Sequence, residues 1–245
     1  MRGSPYAVIV CDLFHAHAPD HETLVEGFPT QGVAVEYARR RTWSSVEQFR
    51  EPGLSPEQVL ARWRAFGEDC RVVGPEGVLY VASSEMDRFL AEPLPPHQRD
   101  WVNLYRSLLP EDFRLVYEWR AGTYPPPYHY EYVIQVGPGN SGEITFWPDY
   151  PGENVVPRRL TFHPDLTARI KVYNFVRAMP EPAALRSPGE EHLGGETGLL
   201  EVSAEGRRAR VWVHQLPEEE RLALHQTLRA IVPDHVWERL LDERQ

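Results

Sequence analysis

Apolar and polar positions alternate along this chain with two periods, and the change from one to the other marks out its elements. Residues 6–13, Tyr-Ala-Val-Ile-Val-Cys-Asp-Leu, form a β-branched apolar run that predicts a buried strand. Polar residues dominate from Phe14 to Pro29, which reads as a loop. Thr30 then offers an N-cap for a helix reaching about Arg41, with Val33, Ala34, Tyr37 and Ala38 on its apolar face. Ser44-Ser45-Val46-Glu47 has the form of a capping box and predicts a separate short helix that Pro52-Gly53 ends. Ser55-Pro56-Glu57-Gln58 repeats that signal and opens a helix burying Val59, Leu60, Trp63 and Phe66, with Gly67 as its stop. Residues 71–73 and 78–82 flank Gly74-Pro75-Glu76-Gly77 as a hairpin, and a helix over 84–90 follows.

Glu92-Pro93-Leu94-Pro95-Pro96 resists helix and sheet alike, and is expected to link two domains, 1–91 and 99–245. Beyond it, Trp101, Leu104, Tyr105 and Leu108 have helical spacing, whereas Leu115, Tyr117 and Trp119 alternate as in a one-sided strand. Strands are further expected over 128–136, 143–147 and 158–162, then a helix capped by Asp165. A hairpin over 199–213 precedes two helices, starting near Leu216 and Pro233. The fold class is therefore α+β. The order hairpin, helix, hairpin, helix in the second half suggests a duplicated unit with helices on one face of an antiparallel sheet.

Composition narrows the function classes. The formal net charge of −10 opposes general nucleic-acid binding, which draws its affinity from cations on phosphates, and it opposes anionic membrane surfaces. Arg39-Arg40-Arg41 and Arg207-Arg208 with Arg210 sit among acidic neighbours and read as solvated faces. Two cysteines are too few for a disulfide framework, and no apolar run approaches a bilayer span, so a cytoplasmic location is expected.

At residues 128–132 (Tyr-His-Tyr-Glu-Tyr), 147–152 (Trp-Pro-Asp-Tyr-Pro-Gly) and Gly194-Gly195, the chain resembles an uncharacterised bacterial domain family over about residues 100–245. Gly27-Phe28-Pro29-Thr30 and residues 63–69 are similar to small uncharacterised bacterial domains. The resemblance implies architecture and carries no assigned activity.

Three clusters are candidates for chemistry. Cys11 and Asp12, with His15, His17, Asp20 and His21, could supply ligands to a transition metal at a strand end, as in a metal-dependent hydrolase. No HExxH or repeated CxxC anchors that set, and a solvated loop explains it as well. Adjacent Glu68 and Asp69 could tune one another as acid and base, although helix ends are commonly charged. The run of Tyr128, Tyr130 and Tyr132 offers an aromatic face for a ligand, with His129, Glu131 and Asp149 as polar companions and Trp147 and Tyr150 nearby. In a strand, the three tyrosines would share one face and His129 with Glu131 the other, so the simpler reading makes the tyrosines sheet core. Gly137-Pro138-Gly139-Asn140-Ser141-Gly142 precedes a strand, as a hairpin turn does, whereas a phosphate cradle needs a helix N-terminus. With no cofactor motif and no Gly-x-Ser-x-Gly elbow, the chain reads as a non-enzymatic binding or protein-interaction module with no cofactor.

Overall fold

The computed structural model describes residues 5–16, 18, 20–125, 128–152, 155–179 and 195–242. The chain is α+β and divides between Leu108 and Leu109 into two compact units. No helix among the described residues is long and apolar enough to cross a membrane.

The first unit holds an antiparallel sheet of β1 (Tyr6–Asp12), β2 (Glu22–Phe28), β3 (Glu68–Gly74) and β4 (Gly77–Val81), in the order β2-β1-β3-β4. Val8, Val10, Cys70 and Val72 occupy one face of its two central strands and are buried, and α1 (Gln31–Glu47) packs there with Ala34, Tyr37 and Ala38. β2 forms inside the stretch expected to be a loop. It is an edge strand whose first three residues face solvent, so it needs no apolar alternation, and only Gly27 and Phe28 are buried.

Thr30 caps α1 as expected, yet the helix continues through Ser44-Ser45-Val46-Glu47. Thr42, Trp43, Ser45 and Val46 are all buried, and the Ser45 hydroxyl accepts a bond from the Glu68 amide at 2.8 Å. The apparent cap is thus an interior serine with a tertiary partner. In α2 (Pro56–Phe66), Ser55 and Gln58 form the expected reciprocal capping box. Gly67 ends α2 because a Cβ there would lie 2.3 Å from the Trp63 ring. Phe66, expected in the core, is 59% exposed and packs on Phe14 at 5.5 Å between centroids.

The proline-rich stretch belongs to this unit. Leu94, only 1% exposed, packs in a cluster with Trp43 and Phe89, the latter from α3 (Met86–Ala91). Arg50 donates to the carbonyls of Phe89, Leu90 and Glu92 and so caps the end of α3. α4 (Trp101–Arg106), expected to open the second domain, puts Tyr105 on Phe28 and Tyr37, and its hydroxyl donates to the Glu26 carbonyl at 2.6 Å. These contacts draw residues 92–108 into the first unit and move the division past the expected linker.

The second unit is built on a six-stranded antiparallel sheet of β5 (Arg114–Arg120), β6 (Glu131–Val136), β7 (Gly142–Trp147), β8 (Arg158–Phe162), β9 (Thr197–Ala204) and β10 (Arg207–Trp212). Its order is β10-β9-β5-β6-β7-β8. Four strands run as a meander, α5 (Leu166–Arg177) crosses back, and the β9–β10 hairpin adds to the free side of β5. α6 (Glu218–Arg229) and α7 (Asp234–Asp242) close the unit. Among the described residues strands then helices do recur, but as four strands with one helix and two strands with two.

Alternation along each strand sends one row to the core: Leu115 and Tyr117 of β5, Tyr132 and Ile134 of β6, Ile144 and Phe146 of β7, Leu200 and Val202 of β9. Val172 of α5, Leu224 and Leu228 of α6, and Trp237 of α7 pack in the same cluster. Residues 137–141 are the β6–β7 hairpin connection, and the expected turn gives up only Gly142, which opens β7. The buried Arg169 guanidinium donates to the Gly139 carbonyl at 2.8 Å and to Asn140 Oδ1 at 3.1 Å, fixing that turn to α5.

Candidate functional site

The aromatic run at 128–132 does not behave as one strand. Pairing of β6 starts only at Glu131, opposite Arg120 and Trp147, so the residues before it obey no two-residue alternation. Tyr132 is fully buried, Tyr130 is half-buried against the core, and Tyr128 is 71% exposed. His129, expected outside the core, is 2% exposed. Its ring stacks on Tyr150 with centroids 3.5 Å apart, Nδ1 lies 3.1 Å from the Gly122 carbonyl, and Nε2 lies 3.2 Å from Glu131 Oε1. Glu131 also faces Arg120 at 3.4 Å. Asp149 accepts the Tyr150 amide at 2.7 Å, and the Tyr150 hydroxyl donates to the Tyr124 carbonyl at 3.1 Å. His129 and Glu131 therefore come together and, with Tyr150, brace the β5–β6 connection against the β7–β8 connection, whereas Tyr130 packs on Trp119 and Phe146 and Asp149 bonds its own neighbour.

That brace supports one wall of a cleft of about 430 Å³. Tyr117 and Trp119 of β5 line its floor, and the exposed ring of Tyr124 stands on its rim. Residues 195–198 contribute a second wall. On α6, Glu218, Arg221, Leu222 and His225 are spaced i, i+3, i+4, i+7 and form the third. Gly198 lets this wall approach the floor closely. A Cβ at that position would lie 3.1 Å from the Tyr117 hydroxyl and 3.2 Å from Val213 Cβ.

At the floor, the Tyr117 hydroxyl and His225 Nδ1 are 3.0 Å apart. Burial, with the Arg229 guanidinium close by, pulls the His225 pKa down to about 4, so the imidazole is neutral at physiological pH. Burial also pushes the Tyr117 phenol up, and nearby Glu196 adds to that shift. Both partners are thus uncharged. The phenol is the donor in their bond when Nδ1 is the bare nitrogen, and Nε2 then carries the ring proton. Trp119 stacks on Tyr132 at 5.1 Å and lies 5.8 Å from His225, which fixes the floor from below.

Comparison with protein-family models and with curated proteins found no match to this chain.

The remaining candidates lie in the first unit. His15 Nδ1 is 2.7 Å from Asp12 Oδ2, a bond that lowers the Asp12 pKa. His21 Nδ1 is 2.6 Å from the Ala18 carbonyl, and its Nε2 is 3.6 Å from Glu22. Asp20 is exposed, and His17 lies outside the described residues. Among the described residues, no three His, Cys, Asp or Glu side chains are grouped to hold a metal ion. Glu68 is paired with Arg41 at 2.9 Å, whereas Asp69 accepts both the Ser83 hydroxyl (2.6 Å) and the Ser83 amide (3.1 Å). Asp69 thereby caps the 3-10 turn Ala82–Glu85.

A larger cavity of about 590 Å³ lies between the end of α5 and the β9–β10 hairpin, with Arg177, Arg207 and Arg208 on its lining. Its one buried phenol, Tyr173, is bonded to exposed Glu205 and Arg177, whereas the Tyr117–His225 bond joins two side chains withdrawn from solvent, and that cleft is the better candidate. Sequence reading reached Tyr117 and Trp119 only as core positions. The polar i, i+3, i+7 stripe of Glu218, Arg221 and His225 on an otherwise apolar-faced helix was the signal that could have led to the rest.

Proposed function

We propose that this protein is a binding module that takes a small ligand in the Tyr117–His225 cleft and performs no acid–base chemistry there. The neutral Tyr117–His225 pair at the base of the cleft carries this reading. Its volume falls within the ~300–1,000 Å³ usual for small-ligand sites, and its lining mixes aromatic rings with the polar side chains of Glu196, Glu218, Arg221 and His225. A general acid or base works best with a pKa near the working pH, whereas His225 is far below it and Tyr117 above it. Neither Cys11 nor Cys70 lines the cleft, so no thiol nucleophile is at hand. The two free cysteines fit a reducing, cytoplasmic setting.

The test is a thermal-shift screen of small molecules against the protein and against Leu222→Arg, a change at an exposed rim position. Ligands of the cleft raise the Tm of the unmodified protein and lose that effect in the variant. Hits that stabilise both proteins equally would remove the cleft from consideration.

A further inference from the structure

We infer that the cavity between the end of α5 and the β9–β10 hairpin is a second ligand site, and that it takes an amphipathic anion, an apolar body carrying one carboxylate. It shares no lining residue with the Tyr117–His225 cleft, so the inference stands apart from the reading of that cleft.

The cavity follows from the register of the hairpin. Val202 pairs with Ala209 and Ala204 with Arg207, so all four lie on the sheet face that bears the core. Along β10 that face reads Val211, Ala209, Arg207, which are buried, half-buried and exposed in turn. The apolar row gives out towards the turn, where Ala204 and Ala209 stand in place of larger side chains. The space of about 590 Å³ that results has Val202 and Ala204 at its floor and Val176 and Met179 of the α5 end along its side.

Positive charge gathers at its mouth, although the chain as a whole carries −10. Arg177 and Arg207, both exposed, stand there against the single carboxylate of Glu205, which leaves one positive charge over. Arg208 also lines the cavity, but its guanidinium is bonded to Glu201. Charges just off the lining do not cancel the excess. Arg208 and Arg210 share the one carboxylate of Glu201, and Asp112, which accepts the Glu205 and Gly206 amides, has Arg114 beside it. Glu205 is itself engaged by the Tyr173 hydroxyl, whereas no side chain among the described residues bonds Arg207.

A cation meets that surplus of guanidinium and is repelled. Inorganic phosphate would satisfy the arginines and leave the apolar floor wet, and an uncharged apolar molecule does the reverse. An amphipathic anion uses both: its body covers the floor, and its carboxylate takes two parallel bonds from the planar fork of Arg207.

The experiment compares octanoate, 1-octanol, octylammonium and inorganic phosphate by calorimetry on the full chain. Octanoate should bind about tenfold tighter than octanol, a modest factor because the arginines are exposed and solvent weakens their field. Octylammonium should bind more weakly than octanol. Arg207→Gln, a change at an exposed position, should bring octanoate down to the level of octanol and leave octanol unchanged. Ala209→Phe fills the cavity and should weaken both, and Arg207→Gln decides the matter if that variant fails to fold. Leu222→Arg should leave octanoate binding intact, which separates such a ligand from those of the cleft. The inference falls if octanoate does not bind, if octanol, octylammonium or phosphate binds as tightly, or if Arg207→Gln changes nothing. Loss of octanoate binding in Leu222→Arg would likewise overturn it and move the ligand to the cleft.

Discussion

The imidazole of His129 lies flat beneath the phenol ring of Tyr150, the two planes only 8° apart, and so ties the β5–β6 connection to the β7–β8 connection. The Tyr150 hydroxyl adds a bond to the Tyr124 carbonyl. Tyr150→Phe keeps the stack and loses the bond, for a loss of about 0.5–1.5 kcal/mol in urea unfolding. Tyr150→Ala also uncovers a buried imidazole and should cost more than Tyr150→Phe. Equal losses in the two variants would mean that the stack contributes nothing.

The three tyrosines of residues 128–132 should separate cleanly in stability. Tyr132→Ala should destabilise by ~3–5 kcal/mol, as truncation of a large buried aromatic does. Tyr128→Ala should stay within about 0.5 kcal/mol, and half-buried Tyr130→Ala should lie between them. Chemical denaturation of the three variants checks the order, and a large loss from Tyr128→Ala would contradict the placement of the β6 start at Glu131.

His225 gives the fold a pH dependence of known sign. The ring titrates at about 4 when folded and near 6.5 when unfolded, so between these values the unfolded chain binds more protons. Stability therefore rises with pH across that window, and is lost as pH falls from about 6.5 towards 4. Because the ring is only partly buried, solvent screening holds the loss to about 1–2 kcal/mol. Subtracting the stability–pH curve of His225→Gln from that of the unmodified protein isolates the effect, and a flat difference would refute it.

Gly198→Ala tests the geometry of the cleft floor. The new methyl would meet the Tyr117 ring and Val213 at just over 3 Å, and overpacking of this kind costs about 1–3 kcal/mol. Denaturant unfolding of the variant checks this, and an unchanged or raised stability would show that Tyr117 and Val213 give way to the methyl.

Arg169→Ala would strip the β6–β7 turn of its buried donors and should cost about 2–3 kcal/mol by denaturant unfolding. Arg169→Lys should recover little, because an ammonium cannot match the planar fork that reaches Gly139 and Asn140 together. Full recovery by lysine would show that charge alone suffices.

Local signals were legible wherever their cause was local. Ser55 with Gln58, Asp165 before α5, and Thr30 before α1 all cap helices through bonds made within one turn. β2 escaped notice because an edge strand with solvent-facing residues carries no burial pattern. Ser44-Ser45-Val46-Glu47 misled because Ser45 finds its partner at Glu68, far along the chain. The prolines at 93–96 read as a linker, while the contacts of Leu94 and Tyr105 that hold this stretch in the first unit are tertiary. His129 and Glu131 were singled out and do meet, whereas Asp149 bonds its own neighbour Tyr150, and His129 is buried because the strand starts later than the alternation implied. The cleft itself draws on three separate stretches, 117–124, 195–198 and 213–225, which only the sheet order brings together.

Cys70 sits at the centre of the first sheet, fully buried, and burial pushes its thiol up to about 12. Because alkylating reagents attack the thiolate, this side chain is shielded twice, by access and by protonation. It becomes a clock for the opening of that unit: iodoacetamide can label it only when the face of the sheet beneath α1 is uncovered, so the labelling rate of a Cys11→Ser protein reads out how often that happens.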